Sequence, residues 1–307
     1  MDPKDLPVSL AALEACRAAG VNLVSLNAGY GEMPLEAHIE MLEAMHRWFA
    51  VRPEDYALVR TAADARAAAK SSRLGVVFDV EGAAALDGRI DQVDRLYDLG
   101  VRWMLLAYNR ANVFAGGCHP GEDTGLTPLG QALIRRMEVV GMVVCLSHAG
   151  SETARAALAH ARKPMIFSHS NPASRHAHPR NIGDDLIRAC ADIDGVIGVN
   201  SLELFLGGPP TVPRLVEHIE HLLDLVGPRH VGLGLDHVLD LAGLEREKAA
   251  MTGSFPTGLG YERPTRCLSP VDIPAIAETL RARGHAADDI AAILGGNWLR
   301  IAEACWR

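Results

Sequence analysis

The chain has 307 residues, of which 49% are apolar and 22% charged, with a formal charge of −8 and a pI near 5.9. These proportions supply a closed hydrophobic core and argue against disorder. The acidic balance and the 5% aromatic content leave neither a basic stripe for phosphates nor platforms for bases, so nucleic acid is excluded as a partner.

A single α/β barrel has this length, and no Ser/Gly/Pro-rich linker divides 1–307, so one domain is expected. The six cysteines carry no C-x-x-C pair and read as reduced thiols of a cytoplasmic protein. No apolar run reaches membrane-spanning length, and the first residues lack a basic-then-apolar leader, so no membrane contact or export is expected.

In chain order, 9–19 has helical character and leads into a strand-like run at 22–27. An amphipathic helix is predicted at 34–49, then a strand at 75–80. Asp79 and Glu81 lie two residues apart and share the inward side of this strand, with Gly82 giving room at its end. Two close inward carboxylates need a cation or a shared proton. Glu81 takes the position of a rim ligand, while Asp79 reads either as a further ligand or as a hydrogen-bonded core residue.

A helix at 90–99 precedes the strand at 101–107, and a helix at 128–140 precedes the strand at 142–147. That strand runs into Ser147-His148. After a helix at 151–161, the strand at 164–168 likewise ends in Ser168-His169. Two imidazoles at the carboxyl ends of consecutive buried strands occupy the rim where α/β barrels keep their chemistry, and neutral imidazoles beside a carboxylate suit Zn²⁺, as one or two ions.

The following loop, 174–181, carries Arg180, which is able to clamp a substrate carboxylate bidentately, and His176 and His178, which read as loop histidines or extra ligands. Helix 182–191, strand 196–200 and helix 212–226 come next. The Glu217–His221 stretch lacks the H-E-x-x-H order and reads as a solvated face. Strand 230–235 ends at Asp236, which reads as a metal ligand or proton carrier, or alternatively as a turn cap. The 241–270 stretch is expected as a loop serving as lid or interface, which leaves homo-oligomers open. Helices at 272–283, 288–295 and 297–306 finish the chain.

Strict alternation of this kind predicts parallel βαβ units and a (β/α)8 barrel. Seven strands are counted, one short of closure. Only 1–8 remains for a first strand, and its two prolines and three charged residues disfavour a buried one, so that strand is expected to be missing or irregular.

The chain resembles the membrane (renal) dipeptidase family of zinc peptidases from about Ser9 to Arg307. The resemblance rests on Val80-Glu81-Gly82, Tyr97–Arg102, Gly125-Leu126-Thr127-Pro128-Leu129-Gly130, Gly141–His148, Phe167–Ser170, Arg180–Asp185 and Gly296–Arg300. It implies a metal-dependent hydrolase barrel acting on dipeptides. Glu81 corresponds to the metal-bridging glutamate, and His148 and His169 to metal-binding histidines. Arg180 corresponds to the arginine that holds the substrate carboxylate, and Asp236 to the aspartate of proton transfer. Tyr108 stands where the family commonly has a substrate-contacting histidine, and its phenol is able to donate to an oxyanion. No His-x-Asp pair precedes Ser9, and Asp79 is the candidate to compensate. The alternatives are a non-catalytic or single-metal relative binding a small carboxylate or peptide, and an amidohydrolase acting on another amide or a lactone.

Overall fold

A computed structural model describes residues 6–307, with the side chains of Pro7 and Val8 left aside. Eight parallel strands form one curled sheet: β1 (Leu23–Tyr30), β2 (Tyr56–Leu58), β3 (Leu74–Glu81), β4 (Val101–Leu105), β5 (Val143–Cys145), β6 (Ile166–Phe167), β7 (Val196–Val199) and β8 (Val231–Leu233). Their order is β1-β3-β4-β5-β6-β7-β8, with β2 attached to β3 off this path. The seven expected strands are all present.

The eighth strand is not the one that sequence reasoning sought. Met1–Asp5 lie outside the described residues, and Leu6–Ala11 is helical. The additional strand is β2, which pairs with the first part of β3 (Tyr56↔Leu74, Leu58↔Val76), while β4 takes over farther along from Phe78↔Val101. Eight-residue β3 is long enough to hold both neighbours in turn on one edge. The sheet therefore stays open between β1 and β8 among the described residues.

Side chains alternate strictly across this sheet, as the two-residue period of a strand requires. Val76, Phe78, Val80, Val144, Phe167 and Ile197 face outward into the large core beneath the helices. Leu105, Val143, Cys145, Ile166 and Val196 face inward and pack on Ile301 and Cys305 of the last helix, Asn297–Cys305. Burial on both faces explains why the strands read as near-continuous apolar runs.

The last helix plugs the concave side and caps the free edge of β8. Asn297 Nδ2 donates to the Val231 carbonyl at 2.8 Å, and Trp298 Nε1 to that of Leu233 at 3.1 Å. A Cβ on Gly198 or Gly232 would meet the Trp298 ring at 2.9 or 2.7 Å, so both positions must be glycine for the indole to lie there.

The Gly125–Gly130 motif has a local cause. Thr127 caps helix Pro128–Val140 through its hydroxyl, which accepts from Gly130 N at 3.0 Å, and Pro128 occupies the first turn, where no amide is needed. Gly141, at φ +96°, ends the helix in the left-handed conformation and turns the chain into β5. Among the described residues, no helix is long and apolar enough to cross a membrane.

The expected loop at 241–270 opens instead as a helix, Leu241–Ala250. Asp240 caps it by accepting from Gly243 N at 2.8 Å. The segment is rich in Ala, Leu, Glu and Lys, but Gly243 is its one buried residue, so no apolar stripe marks it in the sequence.

Candidate metal centre

Glu81 closes β3, and His148 and His169 follow the neighbouring strands β5 and β6, so three strand ends, with β4 between the first and the other two, deliver their side chains to one place. One ligand atom from each lies within 4.8 Å of the others. His148 Nε2 is 3.0 Å from His169 Nε2, which is 3.4 Å from Glu81 Oε1. Nitrogen and oxygen ligands of zinc sit about 2.0–2.1 Å from the ion, which separates two of them by about 3 Å at a right angle and about 3.4 Å at a tetrahedral one. The observed spacings fit one shared cation.

The imidazoles are prepared for that role. His148 Nδ1 is 2.7 Å from Asn109 Oδ1, an acceptor only, so the proton sits on Nδ1 and the Nε2 lone pair is free. His169 Nδ1 is 2.7 Å from Ser168 Oγ, which in turn accepts from Cys145 Sγ at 3.1 Å. Burial, reinforced by the Arg180 charge, holds His148 well below the usual histidine range, and burial brings His169 down to about 4. Both rings are neutral near pH 7. Glu81 is pushed up by burial first, then by the charges of Asp236 and Asp79. A bound cation would relieve all of this.

Asp79 stands apart from these three. Asn27 Nδ2 donates to one of its oxygens at 3.0 Å and Ser25 Oγ donates to the other, so β1 occupies both. Its burial drives the carboxyl up to about 7. Of the two sequence readings, the geometry matches the hydrogen-bonded core residue, and Asp79 reaches the cluster only as nearby charge.

Arg180 is 2% exposed, and its guanidinium has no carboxylate partner among the described residues. Nη2 reaches the His169 carbonyl at 3.4 Å, while Nε has no partner at all. A buried guanidinium without a carboxylate partner beside the cluster suits an anion. Tyr108 stacks on His148, ring centroids 4.1 Å apart, and its hydroxyl bonds to none of the described residues. Asp236, left-handed at φ +57°, follows β8 and accepts from Asn200 Nδ2 at 2.9 Å.

The remaining histidines lie outside the cluster. His178 Nε2 is 3.0 Å from the Leu259 carbonyl and anchors the 251–261 segment, and His176 packs against Gly207. On the 212–226 helix, Glu217 and His221 pair at the surface with Arg175 and Asp184, as a solvated face requires, but His218 is buried.

Sequence reasoning missed Asn109, Ser168 and Asn200, the residues that orient His148, His169 and Asp236. For the 241–270 stretch, expected as lid or interface, it named none of the residues that roof the site. Tyr30 bonds to Glu247 of the Leu241–Ala250 helix, Phe255 packs edge-on against Tyr108, and the Tyr261 hydroxyl meets His119 Nε2 at 3.1 Å. Beneath it lies a cavity of about 1380 Å³ that reaches the cluster, Tyr108 and Asp236 and continues along β1.

Residues 27–305 match the model of the membrane dipeptidase family, peptidase family M19. An uncharacterized dipeptidase of Schizosaccharomyces pombe is 30% identical over 270 residues, covering 86% of this chain but 61% of the relative's own length. Among solved structures, an amidohydrolase from Pseudomonas aeruginosa superposes with a TM-score of 0.89 at 25% identity, covering 97% of this chain and 93% of that one. A Rhodobacter sphaeroides metallopeptidase bound to a phosphinate mimic of L-Ala-D-Ala superposes with a TM-score of 0.79 at 19% identity, over 97% of this chain and 90% of that one.

Proposed function

Since this chain belongs to the membrane dipeptidase family, we propose that it hydrolyses dipeptides, with Glu81, His148 and His169 holding a zinc ion. The observation that carries the reading is the meeting of two imidazole Nε2 atoms and one under-compensated carboxylate at ligand spacing. When bound, zinc polarises an amide carbonyl and makes water acidic enough to serve as a nucleophile.

The chain's own residues do the rest. Arg180, whose Nε finds no partner in the protein, is poised to hold the substrate's terminal carboxylate. Tyr108, held flat on His148, offers its unengaged hydroxyl to the oxygen that becomes anionic. Burial keeps that phenol protonated, well above its ordinary range. Asp236, oriented by Asn200, takes the proton from the attacking water and passes it to the leaving amine. Tyr30, Phe255 and Tyr261 roof the cavity and exclude bulk water.

The described residues offer one three-donor group, so the reading is for one ion, with Asp79 in no ligand role. The six free cysteines, four of them buried, suit a reducing compartment such as the cytoplasm.

Zinc content by elemental mass spectrometry, together with hydrolysis of unblocked dipeptides, tests the proposal. One zinc per chain and turnover that stops on chelation and returns with zinc are expected. A protein that binds zinc and dipeptide without turnover would replace the hydrolase with a single-metal binding protein.

A further inference from the structure

Asn109 is fully buried, adopts a left-handed backbone at φ +61°, and uses both ends of its amide. Oδ1 is 2.7 Å from His148 Nδ1 and also accepts from Cys118 Sγ at 3.5 Å. Nδ2 donates to the carbonyl of Ser254 at 2.9 Å, in the roof segment 145 residues away along the chain. Ser254 is itself buried, and its neighbour Phe255 packs on Tyr108, which stacks on His148.

We infer that Asn109 is a positioning residue that couples docking of the 251–261 roof to the tautomer and posture of His148. The inference rests on the metal reading above. A carboxamide is one rigid plane, so its two ends cannot be reassigned separately. With Nδ2 on the Ser254 carbonyl, Oδ1 must face His148, and an acceptor there requires the imidazole proton on Nδ1. That tautomer leaves the Nε2 lone pair free for the cation.

If His148 carried its proton on Nε2 instead, Nδ1 would need a donor. The amide would have to turn over, setting Oδ1 against the Ser254 carbonyl and releasing the roof. Roof docking and metal-competent His148 are thus one arrangement. By linkage, a cation at Nε2 holds the roof down, and an undocked roof weakens the cation.

The test follows zinc affinity and limited proteolysis of 241–270 in the full chain, for wild type, Asn109→Gly and Asn109→Asp. Glycine keeps the left-handed backbone without strain and removes the amide. Aspartate keeps the acceptor for His148 Nδ1 and loses the donor to Ser254. Circular dichroism and melting confirm that each variant is folded.

In wild type, saturating zinc is expected to slow cleavage of the roof about ten-fold. Asn109→Gly should lose ten- to a hundred-fold in zinc affinity, the usual cost of removing a partner of a ligating histidine, and lose the protection even when saturated. Asn109→Asp should hold zinc within a few-fold of wild type while its roof is cleaved rapidly with or without it. Wild type that binds zinc but cuts equally fast with and without it overturns the coupling and leaves the metal site standing. So does Asn109→Gly in which zinc still protects, the mark of a merely structural residue. Wild type that binds no zinc removes the metal reading, and the coupling with it.

Discussion

The Nε2 atoms of His148 and His169 face each other at 3.0 Å although burial keeps both rings neutral, so at most one of them is donating a proton to the other. Each ring has its Nδ1 bonded to a neighbour outside the pair, Asn109 Oδ1 or Ser168 Oγ. Replacing either histidine with alanine removes one of the three proposed ligands. The expected result is a fall in zinc content from about one per chain towards zero after dialysis, read by elemental mass spectrometry. Asp79→Asn should retain its zinc, because β1 already occupies both oxygens of the native carboxylate. Loss of zinc in that variant would restore Asp79 as a ligand.

The three residues of the cluster were legible because strand chemistry is local: Ser-His at the ends of two short apolar runs, and Glu81-Gly82 at the end of a third, announce a rim. What supports them was not, because it is tertiary. Asn109 sits beside Tyr108 in the sequence, and nothing in its spacing says that its amide faces His148. The three-residue β2 is too short to show a period, and its place on β3 depends on how far β4 is set back. The helix Asn297–Cys305 was legible as a helix, but its place inside the curl follows from Gly198 and Gly232 admitting Trp298.

Arg180 carries a full charge at 2% exposure with Nε unpartnered, so its benefit is deferred to the ligand. Arg180→Met should raise KM for an unblocked dipeptide by about ten- to a hundred-fold, in keeping with about 1.5–3 kcal/mol for a hydrogen bond to a charged group. Steady-state kinetics should also find C-terminally amidated dipeptides poor substrates of wild type and insensitive to the substitution. Equal use of amidated and free dipeptides by wild type would take the carboxylate-binding role from Arg180.

Gly234 follows β8 at a point where a Cβ would lie 1.9 Å from the Ser168 carbonyl and 3.1 Å from His169 Cα. Both atoms belong to backbone, so neither can swing aside. Gly234→Ala must push the Ser168-His169 turn out of place, at a cost of about 3 kcal/mol, the upper range for overpacking, with weaker zinc binding as well.

His218 gives a pH signature away from the centre. Its Nδ1 has no partner, its Nε2 is 3.4 Å from the Leu206 carbonyl, and burial, the largest influence, brings its pKa from 6.5 down to about 4. Below pH 6.5 the unfolded chain takes up the proton that the folded chain refuses until about pH 4, so stability falls as pH falls through that window. The loss amounts to about 3 kcal/mol at the lower end, at about 1.4 kcal/mol per pH unit. His218→Leu removes the proton acceptor and suits the apolar surroundings of Leu215, Ile219 and Leu222. Urea unfolding of the metal-free protein should therefore show the variant gaining on wild type between pH 7 and pH 4.5, with a small difference at pH 7.5. A constant difference across that range would mean that the folded imidazole takes up its proton as readily as the unfolded one.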